Sequence, residues 1–115
     1  MAEETIAFQT SEKNGWTLWA VRGRLDRMTA QEAGEKADQV FSAAQKFAVD
    51  MSGLEYLSSA GIRVLLKLSK QAEGMSRNLV AAGATGMVRS ILEDSRMSVL
   101  LDLKYSMDFF DSTAE

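Results

Sequence analysis

The stretch KFAVDMSGLEYLSSAGIRVLLKLSKQAEG, residues 46–74, contains an apolar run, a polar turn and a long amphipathic segment in succession. Residues 46–51 have the composition of a short buried strand. Residues 59–74 repeat apolar side chains at helical spacing and end at Gly74, a suitable C-cap residue. Two adjacent serines stand where this helix begins. The pattern predicts a strand followed by a helix that packs back onto the sheet.

Strand and helix patterns alternate on both sides of this stretch. The predicted strands are TIAFQT (5–10), GWTLWAVRG (15–23) and NLVAAG (78–83), and the predicted helices are TAQEAGEKADQVFSAA (29–44) and TGMVRSILEDS (85–95). Residues 12–15, EKNG, supply a hairpin turn, so the first two strands are expected to be antiparallel. Residues 105–110, YSMDFF, fit either an edge strand or a docked helix. We predict one α/β domain over residues 1–115, with a mixed sheet of about four to five strands and helices packed against it.

The second predicted strand is apolar on both of its faces. Trp16 and Leu18 point to one side, and Trp19 and Val21 point to the other. A strand of this kind is expected to be covered on both sides.

Three further details predict helix starts and core positions. Thr29 followed by Glu32 has the spacing of a capping box, and Thr85 is the expected cap of the last helix. Met87 and Met97 are expected to fill gaps in the core.

The composition excludes several classes of function. The chain of 115 residues has no cysteine and no histidine, which removes thiolate nucleophiles, Ser-His-Asp triads and the commonest zinc ligands. The formal net charge is −3 and no long basic cluster occurs, so nucleic acid is not expected as a partner. The apolar runs are far shorter than the ~20 residues that span a bilayer. We expect a cytoplasmic binding domain without catalytic residues, metal, cofactor or membrane insertion.

The serine pair at the start of the long helix has two interpretations. In the structural one, a serine hydroxyl caps the helix by accepting a bond from a free backbone N–H. In the functional one, Ser58 or Ser59 accepts a phosphoryl group, whose negative charge the helix N-terminus tolerates. Gly61 in the first turn indicates that something approaches the backbone closely, and its missing side chain is expected to give a kinase access to the hydroxyl.

The residues around the serines resemble the signature segment of STAS domains, a family of anti-sigma factor antagonists that also includes cytoplasmic domains of sulphate transporters. The matching residues are Asp50, Ser52, Tyr56, Leu57, Ser58, Ser59, Ala60 and Gly61. A second block, GRLDRMTA at 23–30, is similar to the family's Gly-x-Leu-Asp-x-x-Thr-Ala segment. The order of the elements also agrees, so the resemblance extends over nearly the whole chain and implies a STAS-type fold.

The resemblance implies a phosphorylation-switched binding module and not an enzyme. Ser59 matches the serine that a cognate kinase phosphorylates, and Asp26 matches a loop carboxylate near it. Many family members carry aspartate where this chain has Ser58, which makes Ser58 the second candidate acceptor. The implied partners are an anti-sigma factor or switch serine kinase of the GHKL ATPase type and a PP2C-like serine phosphatase. The unphosphorylated form is expected to bind the kinase and so release a sigma factor or another regulator.

The expected partner-binding surface follows the serines along the helix. Its residues are Asp26, Ser58, Ser59, Gly61, Arg63, Val64 and Lys67. Structural interpretations compete with this one: Asp26 as a turn residue, Asp50 and Ser52 as a loop-shaping pair, and Val64 with Leu68 as packing against a neighbouring helix. A different functional alternative is a non-switching accessory subunit of a lipid-transport ATPase or of a signalling assembly.

Overall fold

The computed structural model describes residues 6–97, 102–104 and 106–110. The strands are β1 (Ile6–Lys13), β2 (Trp16–Leu25), β3 (Lys46–Asp50), β4 (Leu54–Leu57), β5 (Asn78–Ala82) and β6 (Asp102–Lys104). The helices are α1 (Ala30–Phe41), α2 (Ser59–Gly74) and α3 (Gly86–Asp94), and a 3-10 helix spans Met107–Phe110. The predicted order of strands and helices is therefore confirmed.

The strands form one mixed sheet in the order β1-β2-β3-β5-β6, with β4 paired to β2 outside this path. β1 and β2 are antiparallel and are joined at Asn14 and Gly15, which both have positive φ, as a two-residue hairpin turn requires. The other strand pairs are parallel. The predicted mixed α/β sheet is confirmed, and the short strands β4 and β6 bring the described strands to six.

Both faces of β2 are buried, as the sequence predicts. Trp19 and Val21 belong to the main core, which the three helices cover. Trp16 and Leu18 lie in a smaller cluster on the other face, where Phe110 packs with its ring centroid 5.5 Å from that of Trp16. The open question about the C-terminal segment is answered for residues 107–110, which form a docked helical turn; residue 105 lies outside the described residues.

The predicted end of α2 at Gly74 is confirmed, but the predicted C-cap is wrong by one position, because the C-cap residue is Met75. Gly74 is the last helical residue of α2, and the left-handed conformation falls on Ser76, with φ 54°. The turn that ends the helix is held by a hydrogen bond of 2.9 Å, in which the N–H of Arg77 donates to the carbonyl of Ala72.

Two further expectations about side chains are corrected. Met97 is buried as predicted, but Met87 is 58% exposed because it lies on the outer side of the first turn of α3. Thr85 precedes α3, but its hydroxyl makes no capping bond to a described residue. None of the helices in the described part of the chain is both long and apolar enough to cross a bilayer.

Candidate functional site

The candidate site lies where β2 and β4 end side by side. Leu25 and Leu57 are paired in register at the last positions of the two parallel strands. The backbone N–H of Ser58 donates to the carbonyl of Leu25 over 3.0 Å. The loop that begins at Asp26 and the first turn of α2 are therefore held at the same edge of the sheet.

Ser58 and Ser59 differ in structure although they are neighbours. Ser58 is the N-cap of α2, half-buried, and its Oγ accepts a long hydrogen bond of 3.5 Å from the N–H of Gly61. Ser59 is the first helical residue, and its side chain is exposed. Its hydroxyl forms no hydrogen bond with a residue that the structure describes. The capping interpretation is confirmed for Ser58, whereas Ser59 is exposed and its hydroxyl has no hydrogen-bond partner among the described residues.

Gly61 is buried against the ends of β2 and β4. A Cβ built there would lie 2.7 Å from Leu57 Cδ1, and 2.8 Å from both Cγ and the backbone oxygen of Leu25. The close approach that this glycine predicts is therefore that of the core side chains. A side chain at position 61 would point at Leu25 and Leu57, so its absence is not what gives a kinase access to the serine hydroxyl. Gly61 also presents no side chain to a partner.

Asp26 organises the loop between β2 and α1. Its Oδ1 accepts hydrogen bonds from the N–H of Met28 over 2.9 Å and from the N–H of Thr29 over 3.2 Å. Its Oδ2 lies 3.7 Å from Nε of Arg24, and 24% of its side chain is exposed. The structural interpretation of Asp26 as a turn residue is confirmed. Its contact with a partner remains a prediction that the exposed part of the carboxylate permits.

The predicted capping box at Thr29 is wrong. The hydroxyl of Thr29 donates to the carbonyl of Arg24 over 2.9 Å and accepts a bond of 2.9 Å from the N–H of Asp26. It makes no side-chain bond to the described N-terminal amides of α1. Because the hydroxyl is engaged with the end of β2, Thr29 fastens the Asp26 loop to the sheet instead of capping the helix.

Replacing Thr29 with valine tests this fastening role. Thr29 is only 6% exposed, so Thr29→Val removes a buried hydroxyl from the partly buried N–H of Asp26 and carbonyl of Arg24. We expect the free energy of unfolding to fall by about 1–3 kcal/mol, measured by urea denaturation. Thr85→Val is the matched control, since Thr85 is exposed and has no cap bond; it should change stability by less than about 0.5 kcal/mol. Equal effects of the two variants would contradict the assignment.

Asp50 and Ser52 form the loop-shaping pair that the sequence predicts. Oδ1 of Asp50 accepts hydrogen bonds from the backbone N–H and the hydroxyl of Ser52, over 2.9 and 2.7 Å. This contact turns the chain between β3 and β4. It sets the path that leads into β4 and the serines.

Arg63, Val64 and Lys67 line a groove between α1 and α2 of about 310 Å³. Val64 is half-buried and the two basic residues are exposed. Leu68 also borders the groove, but it is only 2% exposed and belongs to the main core, so the structural interpretation holds for Leu68. Three of the predicted partner-binding residues therefore lie on the α2 wall of one groove.

The sequence-based reasoning did not predict the opposite wall of the groove or two neighbouring features. Glu35 and Asp38 of α1 line the groove facing the basic wall. Met28, in the Asp26 loop, is 81% exposed, although an apolar side chain such as methionine is expected to be buried. Gln71 Oε1 is buried without a hydrogen-bond partner among the described residues. In the sequence, the groove was indicated only by Gly34: a glycine in the middle of α1 has no side chain to fill the space at that point.

The described residues contain no group of three or more acidic side chains that could hold a metal ion. The residues gathered at the site are two hydroxyls, a carboxylate engaged in a turn, and a groove with charged walls. This set provides a surface for docking and an accessible acceptor for modification. The structure thus combines a mixed sheet, three α-helices on one face and an exposed surface at the edge where β2 and β4 end.

The chain belongs to the STAS domain family. The family model described as Mlab, STAS domain, matches residues 9–102. BtrV of Bordetella bronchiseptica, named as a candidate anti-sigma factor antagonist, is 30% identical over 83 residues, covering 71% of this chain and 72% of BtrV. The members of this family are binding modules and not enzymes, in agreement with the sequence-based expectation.

Solved structures with low sequence identity have the same fold. An anti-sigma factor antagonist from Mycobacterium paratuberculosis has a TM-score of 0.82 at 18% identity, covering 94% of this chain and 92% of the other. The phosphorylated form of the Bacillus cell fate determinant SpoIIAA has a TM-score of 0.67 at 15% identity, covering 91% and 97%.

Proposed function

We propose that this chain is an anti-sigma factor antagonist whose binding is switched by phosphorylation of Ser59. The unphosphorylated domain binds an anti-sigma factor or switch serine kinase of the GHKL ATPase type in the cytoplasm and so releases a sigma factor or another regulator. The kinase then transfers the γ-phosphoryl group of ATP to Ser59 and the complex separates. A PP2C-like serine phosphatase hydrolyses the phosphoester and restores the binding form.

The observation that carries this proposal is the division of roles between the two serines. Ser58 caps α2, while the adjacent Ser59 is exposed and its hydroxyl is unbonded within the described residues. In the transfer step, Oγ of Ser59 attacks the γ-phosphorus, the bond to the ADP oxygen breaks, and the hydroxyl proton passes to a base of the kinase. Phosphorylation of Ser58 would instead remove the cap, which makes Ser58 the second choice.

The relatives support the same proposal. BtrV, at 30% identity, is named as a candidate anti-sigma factor antagonist. SpoIIAA, which shares the fold, has been solved in a phosphorylated form.

The physics of the switch is a difference in affinity between two charge states. A phosphoserine carries about −1.5 to −2 charges, which the start of a helix accommodates. At a docked interface the same group must be desolvated, and an unpaired buried charge costs several kcal/mol. Each 1.4 kcal/mol weakens binding tenfold. The modification therefore separates the complex while the domain stays folded.

The proposed partner surface combines the serine site and the groove. It comprises Asp26, Ser58, Ser59, Arg63, Val64 and Lys67, without the buried Gly61. Asp26 retains exposed carboxylate area beside the first turn of α2, and Arg63 and Lys67 are exposed along it. A partner that covers these residues also covers Ser59, which is why a charge there interferes with docking.

A phosphotransfer assay tests the proposal. The wild type, Ser59→Ala and Ser58→Ala are incubated with the GHKL-type kinase encoded nearest to this gene, with ATP and magnesium, and analysed by mass spectrometry. We expect the wild type and Ser58→Ala to gain one phosphoryl group and Ser59→Ala to gain none. Because Ser58→Ala removes the helix cap, its folding is checked by circular dichroism first. Phosphate uptake by Ser59→Ala equal to that of the wild type would overturn the assignment.

The accessory-subunit alternative predicts a different result. A domain that acts by docking alone binds a transporter ATPase and takes up no phosphate at Ser59. Its gene is then expected beside those of an ATPase and a permease, and not beside a kinase and a phosphatase.

A further inference from the structure

Arg63 lies one helical turn after Ser59 on the same exposed side of α2. We propose that Arg63 is an internal receptor for the phosphoryl group on Ser59, and that phosphorylation withdraws Arg63 from the partner surface. The inference rests on the proposed function, because it assigns a second consequence to the same modification.

The helix geometry places the two side chains within reach. Residues four apart on a helix have Cβ atoms about 5–6 Å apart. Side chains on a helix lean towards its N-terminus, so the long side chain of Arg63 can reach back from the groove to the turn that contains Ser59. The favourable order is also present, with the acidic group N-terminal to the basic one. A guanidinium can donate two parallel hydrogen bonds to phosphate oxygens.

Arg63 is available for this contact. It forms no ion pair or hydrogen bond with another described residue, even though Glu35 and Asp38 line the same groove. Two other arginines of the chain are already engaged. Arg77 donates to the carbonyl of Phe41 over 2.7 Å, and Nε of Arg89 lies 3.2 Å from a carboxylate oxygen of Glu93.

The pairing gives phosphorylation two effects at the interface. The phosphoryl group adds negative charge beside the groove, and Arg63 turns from the groove towards the first turn of α2. A partner that contacts Arg63 with an acidic group loses that contact at the same moment as it meets the phosphate. Lys67 lies a further turn along α2 and stays exposed, so the loss is confined to the end of the groove nearest Ser59.

The test measures the second ionisation of phosphoserine placed at position 59 by genetic encoding, so no kinase is required. Phosphorus NMR follows the titration at low ionic strength in the otherwise wild-type protein and in Arg63→Gln. The cation favours the dianion, so we expect Arg63→Gln to raise the second phosphate pKa by about 0.3–1 unit.

Lys67→Gln is the matched control, because it removes the same charge one turn further from Ser59. Its shift should be less than half that of Arg63→Gln. The charged side chains on neighbouring elements stay the same in every variant: Arg24, Asp26 and Arg27 around the end of β2, Glu35 and Asp38 on α1, and Glu55 on β4. Equal shifts for the two variants, or no shift for Arg63→Gln, would overturn the pairing. Neither result bears on whether a kinase phosphorylates Ser59, which the mass spectrometry decides separately.

Discussion

Ser59→Asp is expected to bind the kinase at least about a hundredfold more weakly than the wild type. An aspartate at this position places a fixed negative charge at the docked interface without removing the Ser58 cap. Desolvating that charge costs several kcal/mol, and 2.8 kcal/mol already corresponds to about a hundredfold loss of affinity. The measurement is isothermal titration calorimetry with the same kinase in the presence of ADP, where no phosphate can be transferred.

Two controls separate charge from shape and from position. Ser59→Asn has nearly the size of Ser59→Asp but no charge, and it should stay within about tenfold of the wild type. Ser42→Asp introduces the same charge at an exposed serine beyond the end of α1, where we expect little change. If Ser59→Asp and Ser59→Asn bind equally well, the switch does not operate through charge.

A charge at the first position of α2 is compatible with the fold for reasons that lie in the sequence itself. The helix starts at Ser59, and its free N–H groups and dipole favour a negative group at that end. The buried residues of α2 are Gly61, Leu65, Leu68 and Ala72, whereas Ser59 is exposed. The modified side chain therefore lies outside the buried face that holds α2 in place.

The strands and helices could be predicted because their periodic patterns are local. The two apolar faces of β2 and the helical spacing of α2 can be read directly from neighbouring residues, and both were confirmed. The exposure of Ser59 agrees with the expectation of an accessible hydroxyl where α2 begins, although Gly61 in the same turn is buried. The short strand β4 was harder to define, because four residues give no period and its pairing with β2 depends on tertiary context.

The errors concern side chains whose contacts or exposure depend on the tertiary structure. Thr29 has the spacing of a capping box, but the carbonyl of Arg24 lies within reach of its hydroxyl once β2 has formed. Met87 carries an apolar side chain at a position that turns outwards in α3. The acidic wall formed by Glu35 and Asp38 depends on how α1 and α2 pack together. Such contacts link residues that are distant along the chain, and a local pattern does not contain them.

Alanine substitutions at two helical glycines are expected to change stability in opposite directions. Gly61→Ala forces a Cβ to within 2.8 Å of the backbone oxygen of Leu25, which β-sheet pairing holds in place. Overpacking of this kind costs about 1–3 kcal/mol and more where backbone is involved. Gly34→Ala meets nothing within 4 Å, so it should stabilise α1 by up to about 1 kcal/mol through helix propensity.

The two glycines are matched because both lie inside helices and neither has a positive φ. Propensity alone would make both substitutions stabilising, so a loss of stability in Gly61→Ala measures the steric conflict with Leu25 and Leu57. Urea denaturation of the two variants against the wild type gives both signs in one experiment. A stabilised Gly61→Ala would mean that the first turn of α2 has room to move away from the sheet. In that case the position of Ser59 would not be fixed by packing, and Gly61 would return to the list of residues that a partner contacts.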